Sequence, residues 1–435
     1  MTNYIKNFII KITSIEKYFL ILLAFLPISM IIGNFFINLT LFLILILFII
    51  DLINEKKKNF PRDNYFWLLI FFFFSLLINL CFSIDTISSL PRVLKIIEII
   101  ALTVLLKKII TKYESDFENI IFGSWAIIFS ILIIDIIFEI IFGFNTIGFK
   151  SHLPGRIASF FGDELIVGSF FGLFSLFYIA KMSSLLKKNK NIVLSFLIIF
   201  LVTISFLIGE RSNFIKFFII SFFLYFFIIE INFKYKTSGI LLLLIMLSLF
   251  FSFNESIKYR YYSQMISNFK AETKNIEKKE SENFIINTIN TNYIFIKNSQ
   301  YGAHYNAAYK IFLAHPYFGI GIKNFRKESG KDKYKNDEYK WTHKRMTTHP
   351  HQIHFEFLSE TGLFGYVSFL IFILGSLFLS IKNYLKFKNF YQLMAILYIS
   401  ASLIPLVPSG SFFSTYSSIL FWINYAIMVS YIKKN

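Results

Sequence analysis

Six of the seven histidines in this chain fall between residues 304 and 354: His304, His315, His343, His349, His351 and His354. Only His152 lies elsewhere. An imidazole ordinarily titrates near pH 6.5, so it can accept a proton close to neutrality. In the segment HPHQIHFEFLSETGLFG (349–365), His351 beside the amide of Gln352 suits a general base. The alternative is a set of interfacial histidines without a role. His349, His351 and His354 stand at i, i+2 and i+5, which do not converge on one helix face, and HExxH is absent. No metal is expected.

The second group with chemistry in it is arginine. Arg156 lies in SHLPGRIASFFGDELIVG and Arg211 in LIGERSNF. A guanidinium is always charged and matches phosphate oxygens in a bidentate manner. Two of them at a membrane boundary suit a lipid-linked diphosphate; the alternative is snorkelling onto lipid headgroups. Other charges fall inside apolar runs: Arg92, Lys95 and Glu98, then Asp135 and Glu139 at i, i+4. They read as structural interhelical ion pairs, with an ion pathway as the competing use. No P-loop, GxGxxG, kinase or hydrolase motif is present, so neither a nucleotide nor another cofactor is expected.

The elements that position these residues are membrane helices. The 435 residues are 56% hydrophobic, 20% aromatic and 16% charged, against about 45–50% apolar and about 25% charged in soluble domains. That excludes a soluble enzyme, a secreted disulfide scaffold and a disordered protein. The apolar runs are continuous rather than alternating, which argues against a β-barrel. Cys81 is the single cysteine and sits in an apolar run. The basic amino end lacks an A-x-A-like site, so no cleavable signal is expected. Twelve spans are predicted, near 18–33, 35–51, 65–84, 90–110, 120–142, 163–180, 192–209, 213–231, 238–254, 362–381, 390–407 and 412–431. The first two come from splitting one run at Gly33–Asn34, so ten or eleven is the alternative count.

Charge orients this map. With both termini in the cytoplasm, the inner segments hold 21 Lys+Arg and the short outer loops only Lys150, Arg156 and Arg211. Much of the net charge of +18 is then topology signal, not a nucleic-acid surface. The chain divides into spans one to nine (1–255), a large outer loop (256–359) and spans ten to twelve (360–435). The loop carries 17 Lys+Arg and nine acids, leaving about +8 over the presumed site. Within it, 268–283 reads as a charged helix or linker and 302–314 as a helix. Thr348-His349-Pro350 reads as a helix start with Pro at the first position, which would set His351, Phe355 and Leu358 along one face.

His351-Gln352, nine residues, then Gly362-Leu363-Phe364-Gly365 fits H-[N/S/Q]-x9-G-x-x-G. This resembles the signature of the O-antigen ligase family, which shares its carboxyl-terminal membrane domain with O-antigen polymerases. The stretch AYKIFLAHPYFGIGIKNFR (308–326), with its His-Pro and Gly-x-Gly, is similar to the segment preceding that signature. The resemblance covers roughly residues 150–380. It implies an all-α polytopic membrane protein of about 12 transmembrane helices, a GT-C-like glycosyltransferase with a large periplasmic loop between helices 9 and 10. It also implies a bacterial inner-membrane location with the active site in the periplasm. The implied donor is a glycan on undecaprenyl diphosphate, and the acceptor a lipid A-core sugar or, for a polymerase, a second lipid-linked glycan. Membrane lipids are the remaining partners. Residue by residue, it implies that His351 and Arg211 are catalytic. Arg156, His304, Arg326, His349 and Gln352 are the candidates for substrate binding. The family places a basic residue upstream of the signature, where His304 or Arg326 is the nearest match; no Arg stands at 304. A protein O-glycosyltransferase or a teichuronic-type polymerase is a smaller alternative. A transporter, flippase or membrane scaffold is the alternative from another class, though no internal repeat supports the first two.

Overall fold

The computed structural model of the chain describes residues 12–54, 63–263 and 297–433, and these contain helices and no strands. The charged segment expected at 268–283 lies outside the described residues. Lipid offers no partner for backbone N–H and C=O, so apolar runs of this length must close their hydrogen bonds within a helix. Nine helices among the described residues are long and apolar enough to cross a bilayer. The chain is a multi-pass membrane protein.

The first helices are α1 (Ser14–Ile32), α2 (Asn34–Asn54) and α3 (Asn64–Cys81), with α1 and α2 parting at Gly33 as expected. A reciprocal cap starts α1: Thr13 Oγ1 accepts from Glu16 N–H at 3.3 Å, and Glu16 accepts from Thr13 N–H at 2.8 Å. Helix α4 runs from Thr86 to Phe142, 57 residues. At 1.5 Å per residue that is about 85 Å, far beyond a hydrocarbon core of about 30 Å. Its backbone leaves helical geometry at Tyr113 (φ −140°, ψ 44°). The expected spans 90–110 and 120–142 are therefore two limbs of one broken helix. The connection expected between them is itself helical.

Lysines near that break each meet a carboxylate. Lys107 Nζ lies 3.2 Å from Asp63, Lys108 2.6 Å from Asp51, Lys112 3.1 Å from Glu16 and Lys433 3.0 Å from Glu114.

The chain continues with α5 (Val167–Leu185), α6 (Lys190–Leu207), α7 (Arg211–Phe223, extended by a π turn Leu224–Ile228) and α8 (Phe233–Phe253). Helix α9 (Gln300–Ala314) belongs to the large loop. Then come α10 (Ile353–Phe387), α11 (Phe390–Ser402) and α12 (Thr415–Ser430). Helix α12 is buried almost throughout, whereas α8 buries no residue at all. Between membrane helices the association comes from close packing rather than from escape from water. Aromatic rings supply it: Phe72 of α3 stacks on Phe372 of α10 at 4.8 Å, and Phe122 of α4 on Tyr391 of α11 at 4.1 Å.

Two backbone crossings fix the end of the bundle that carries the site. The first joins the signature to its upstream segment. Helix α10 is broken at Gly362 (φ +63°), which frees two N–H groups just beyond it. Leu363 N–H donates to Pro316 O at 2.8 Å and Phe364 N–H to Tyr317 O at 3.0 Å. In return Ile320 N–H donates to Ser359 O (3.1 Å) and Gly321 N–H to Glu360 O (2.8 Å). A Cβ at Gly362 would overlap Tyr317 O, so the glycine is required by contact as well as by φ. The GLFG and FGIG motifs are thus two sides of one joint.

Candidate functional site

The second crossing builds the arginine group. Gly155 (φ +71°) passes Gly209 (φ +78°) so closely that a Cβ on Gly209 would overlap the Gly155 carbonyl oxygen. Ile157 N–H donates to Ile208 O at 3.2 Å across the same crossing. Each of these segments carries an arginine within two residues of the contact, Arg156 and Arg211. A third arrives from the start of the large loop: Arg260 Nε donates to Gly209 O at 3.0 Å, and Arg211 Nη1 to Arg260 O at 3.3 Å. Burial together with Arg211 and Arg156 pulls the Arg260 guanidinium down to about 10. At neutral pH it remains charged.

One carboxylate, Glu210, lies among the three. It pairs with Arg156 Nη2 at 2.8 Å and accepts from Gly168 N–H (3.0 Å) and Asn213 Nδ2 (2.6 Å). Arg156 also donates to Leu165 O. Its guanidinium is therefore largely committed to the protein, and it serves to place Glu210 and the crossing. Arg211 has only the bond to Arg260 O among the described residues, and can turn its remaining N–H groups to a ligand.

The loop bearing Arg156 is tied down from α4. Glu139 accepts from Ala158 N–H (2.9 Å) and Ser159 N–H (2.6 Å), while Asp135 accepts from Thr146 N–H (2.8 Å) and Ser159 Oγ (2.7 Å). These acids were expected to form interhelical ion pairs. They act instead as acceptors for loop N–H and O–H groups, because chain reversal after α4 leaves those donors buried. Lys95 likewise reaches an amide, Asn38 Oδ1 at 2.9 Å, rather than an acid.

The histidine group sits where α9 meets the approach to α10. The His304 ring on α9 stacks on His351 at 5.1 Å, and His351 lies against His349 at 4.1 Å. The expected helix start at Thr348-His349-Pro350 is corrected: α10 begins at Ile353, with Gln352 as its N-cap. His351 is outside the helix with φ +59°, so it does not share a helical face with Phe355 and Leu358. The reason is the cap. Gln352 is extended, and its Oε1 accepts from Phe355 N–H at 3.0 Å. The preceding residue must then turn sharply, and the left-handed backbone aims the His351 ring at His304 instead of along the helix. Gln352 is 1% exposed, and its side-chain oxygen caps α10.

The hydrogen bonds separate the three imidazoles. His304 Nε2 donates to Lys344 O at 3.1 Å. His349 uses both nitrogens, on Thr348 Oγ1 (2.9 Å) and Ser409 O (3.4 Å). The ring nitrogens of His351 make no hydrogen bond among the described residues. Burial lowers all three below the ordinary histidine value, His304 to about 4 and His349 to about 2, so all are neutral at pH 7. A neutral imidazole with a nitrogen to spare is the state a general base requires. His354 is engaged on both sides, by Leu403 O (2.8 Å) and Tyr366 Oη (3.0 Å). Among the described residues no group of three His, Cys, Asp or Glu is placed to hold a metal ion.

Tyr301 links the two groups. Its ring lies 5.7 Å from His351 and 6.0 Å from His304, and it is within electrostatic range of Arg260. Neither Tyr301 nor Arg260 was singled out from the sequence. Arg326, in contrast, is exposed and lies near Arg92 and Lys323, not among the crossing arginines.

No curated protein matches the chain. A match to the O-antigen ligase sequence family covers residues 194–370, from α6 through the large loop into α10. Arg211, Arg260, His304, His349 and His351 all fall inside it; Arg156 lies before it. Over this domain the chain is similar to the O-antigen ligase family.

Proposed function

We propose that the chain is the glycosyltransferase that moves a glycan from undecaprenyl diphosphate to a lipid A-core sugar on the periplasmic face of the bacterial inner membrane. The observation that carries this reading is the neutral, unengaged His351 ring set one tyrosine away from the Arg211–Arg260 pair. In the reaction His351 takes the proton of the acceptor hydroxyl. The hydroxyl oxygen attacks the anomeric carbon from the face opposite the diphosphate, and the carbon–oxygen bond to the diphosphate breaks. The released diphosphate keeps the bonding electrons, and Arg211 and Arg260 stabilise the charge it gains. Arg156 and Glu210 brace the crossing from which those arginines project. The bond broken is already activated, so no nucleotide enters. The described parts of the large loop, 256–263 and 297–359, keep water from the donor.

In this reading the two limbs of α4, together with α11 and α12, bring the crossings to twelve in a GT-C-like arrangement. The paired lysines near Tyr113 then face the cytoplasm, with both termini. Complementation of a deletion strain tests the reading. Polymer that accumulates on the lipid carrier without reaching the core supports the ligase. Single repeat units on the core would point to the polymerase instead, and a normal lipopolysaccharide profile would sink both. His351→Ala should abolish transfer at unchanged protein level.

A further inference from the structure

A second group of cations lies at the same end of the bundle. Arg92 sits in the second turn of α4, three residues after Ser89. Residues 320–327 dock on that first turn. Ile84 N–H donates to Ile320 O (3.0 Å) and Ser89 Oγ to Ile322 O (2.7 Å). Asn324 Nδ2 reaches Ser83 Oγ at 2.9 Å, and Lys327 pairs with Asp85. This docking brings Arg326 beside Arg92, with Lys323 behind them.

The acids here answer the lysine, not the arginines. Glu356 and Glu360 are fully buried. Glu360 accepts from Lys323 N–H at 2.9 Å. Lys323 Nζ donates to Ser411 Oγ at 2.8 Å, and Ser411 in turn donates to Glu356, which also holds Phe412 N–H at 2.8 Å. Arg92 has one long contact, 3.5 Å to Thr415 Oγ1, and Arg326 is exposed. Neither has a carboxylate partner among the described residues. Two neighbouring guanidiniums repel unless an anion lies between them. Their position relative to the chemistry is set by the loop before α12: Ser409 N–H donates to His351 O at 2.8 Å, and Ser411 holds Lys323 two residues on.

We propose that Arg92 and Arg326, backed by Lys323, form a second anion site that holds a phosphate group of the acceptor while its hydroxyl meets His351. The proposal rests on the glycosyl-transfer reading above and adds to it a requirement on the second substrate. The arginines of the Gly155–Gly209 crossing reach the histidines by way of Tyr301; this pair reaches them by way of residues 409–411. Donor and acceptor anions are thereby kept apart. The phosphate can be that of a phosphorylated core sugar or the diphosphate of a second lipid-linked glycan.

The test uses the full-length protein in lipid nanodiscs, as wild type, Arg92→Gln and Arg326→Gln. Lipid A-core is supplied with its phosphates intact or after phosphatase treatment. Each variant should raise the KM for the intact acceptor about tenfold, leaving donor KM and kcat within about twofold. Phosphatase treatment should produce the same rise in wild type and none further in the variants. Arg92→Lys should recover part of the loss. Equal losses on both acceptors, or a change in donor KM, would overturn the site. Direct binding separates this from failure of the transfer reading. If wild type transfers nothing but binds intact acceptor more tightly than treated acceptor, and the variants do not, the site stands and the transfer reading fails. If the variant-sensitive ligand is the lipid-linked glycan, the acceptor is the polymerase one. Equal competition by phosphatidylglycerol would show a headgroup contact and overturn the proposal.

Discussion

Helix α4 treats positive charge in opposite ways at its break and at its ends. Near its break, Lys107, Lys108 and Lys112 each lie within 3.2 Å of a carboxylate. At its ends, three arginines gather round Glu210, while Arg92 and Arg326 meet no acid among the described residues. Residue type follows the same division. Lysine is a flexible point charge suited to orientation and local pairing, whereas the fixed fork of arginine suits an oxyanion. A cation that already has its acid supports the fold; one that lacks an acid is available to a ligand. Arg156 and Arg211 are the sharpest pair to which this applies, since they flank the same crossing and differ in commitment.

Arg156→Gln should therefore act on the fold first. It leaves Glu210, which is 8% exposed, without its cation. Removing one partner of a buried pair costs about 3–5 kcal/mol. A large fall in melting temperature in detergent is expected, with activity lost in proportion to folded protein. A folded variant that has lost only catalysis would contradict the division between the two arginines.

Arg211→Gln should do the reverse. Losing one charge-stabilising donor typically lowers kcat by about 10²–10³, and here the melting temperature should stay near wild type. Lys108→Gln is its counterpart at the break, and should leave kcat unchanged because Asp51, not a substrate, is its partner. Single-turnover transfer on the three proteins decides the matter. A kcat defect in Lys108→Gln would erase the contrast.

The histidine group gives a pH signature. Its members fold as neutral rings with lowered pKa values, so below about pH 6.5 the unfolded chain binds protons that the folded chain does not. Stability is complete above pH 6.5 and is lost as the pH falls toward the folded values. For His304, lowered to about 4, the loss on going from pH 6.5 to 4 is on the order of 3 kcal/mol. Thermal melts between pH 7.5 and 4.5 should show it, and His304→Phe should flatten the curve. The acid limb of kcat/KM should also lie below pH 6.5, because burial lowers His351 from the ordinary histidine value.

Much of the helix map was legible because lipid permits few solutions: a long apolar run closes its own hydrogen bonds, and the split at Gly33 followed. The break at Tyr113 was not, since a charged stretch reads equally as a loop or as an exposed helix. His351 was legible as a residue but not as a geometry. Pro350 pointed to a helix start that Gln352 supplies two residues later. Arg260 was invisible for a different reason. It joins Arg156 and Arg211 only through a crossing of chain segments 54 residues apart in sequence. The available signal was a repeated pairing, Gly155-Arg156 and Gly209-Glu210-Arg211, in which a glycine stands one or two residues before each arginine. Tyr301 carried no signal, being one of 24 tyrosines.

The smallest expected effect concerns Gln352, where the motif and the geometry assign different work to one side chain. As a substrate ligand it would influence acceptor KM. As the cap of α10, its Oε1 satisfies Phe355 N–H and its extended backbone sets the turn at His351. Loss of a cap costs about 1 kcal/mol. Gln352→Ala should thus lower the melting temperature modestly and reduce kcat only as far as His351 loses its position, with acceptor KM unchanged. Gln352→Asn should restore both, because the shorter amide still supplies a capping oxygen. The same argument explains why the motif accepts Asn, Ser or Gln after the histidine: each is a side chain able to accept a hydrogen bond from a helix N-terminal N–H. A rise in acceptor KM without loss of stability would return Gln352 to the substrate and move it from the supporting side of the comparison to the ligand side.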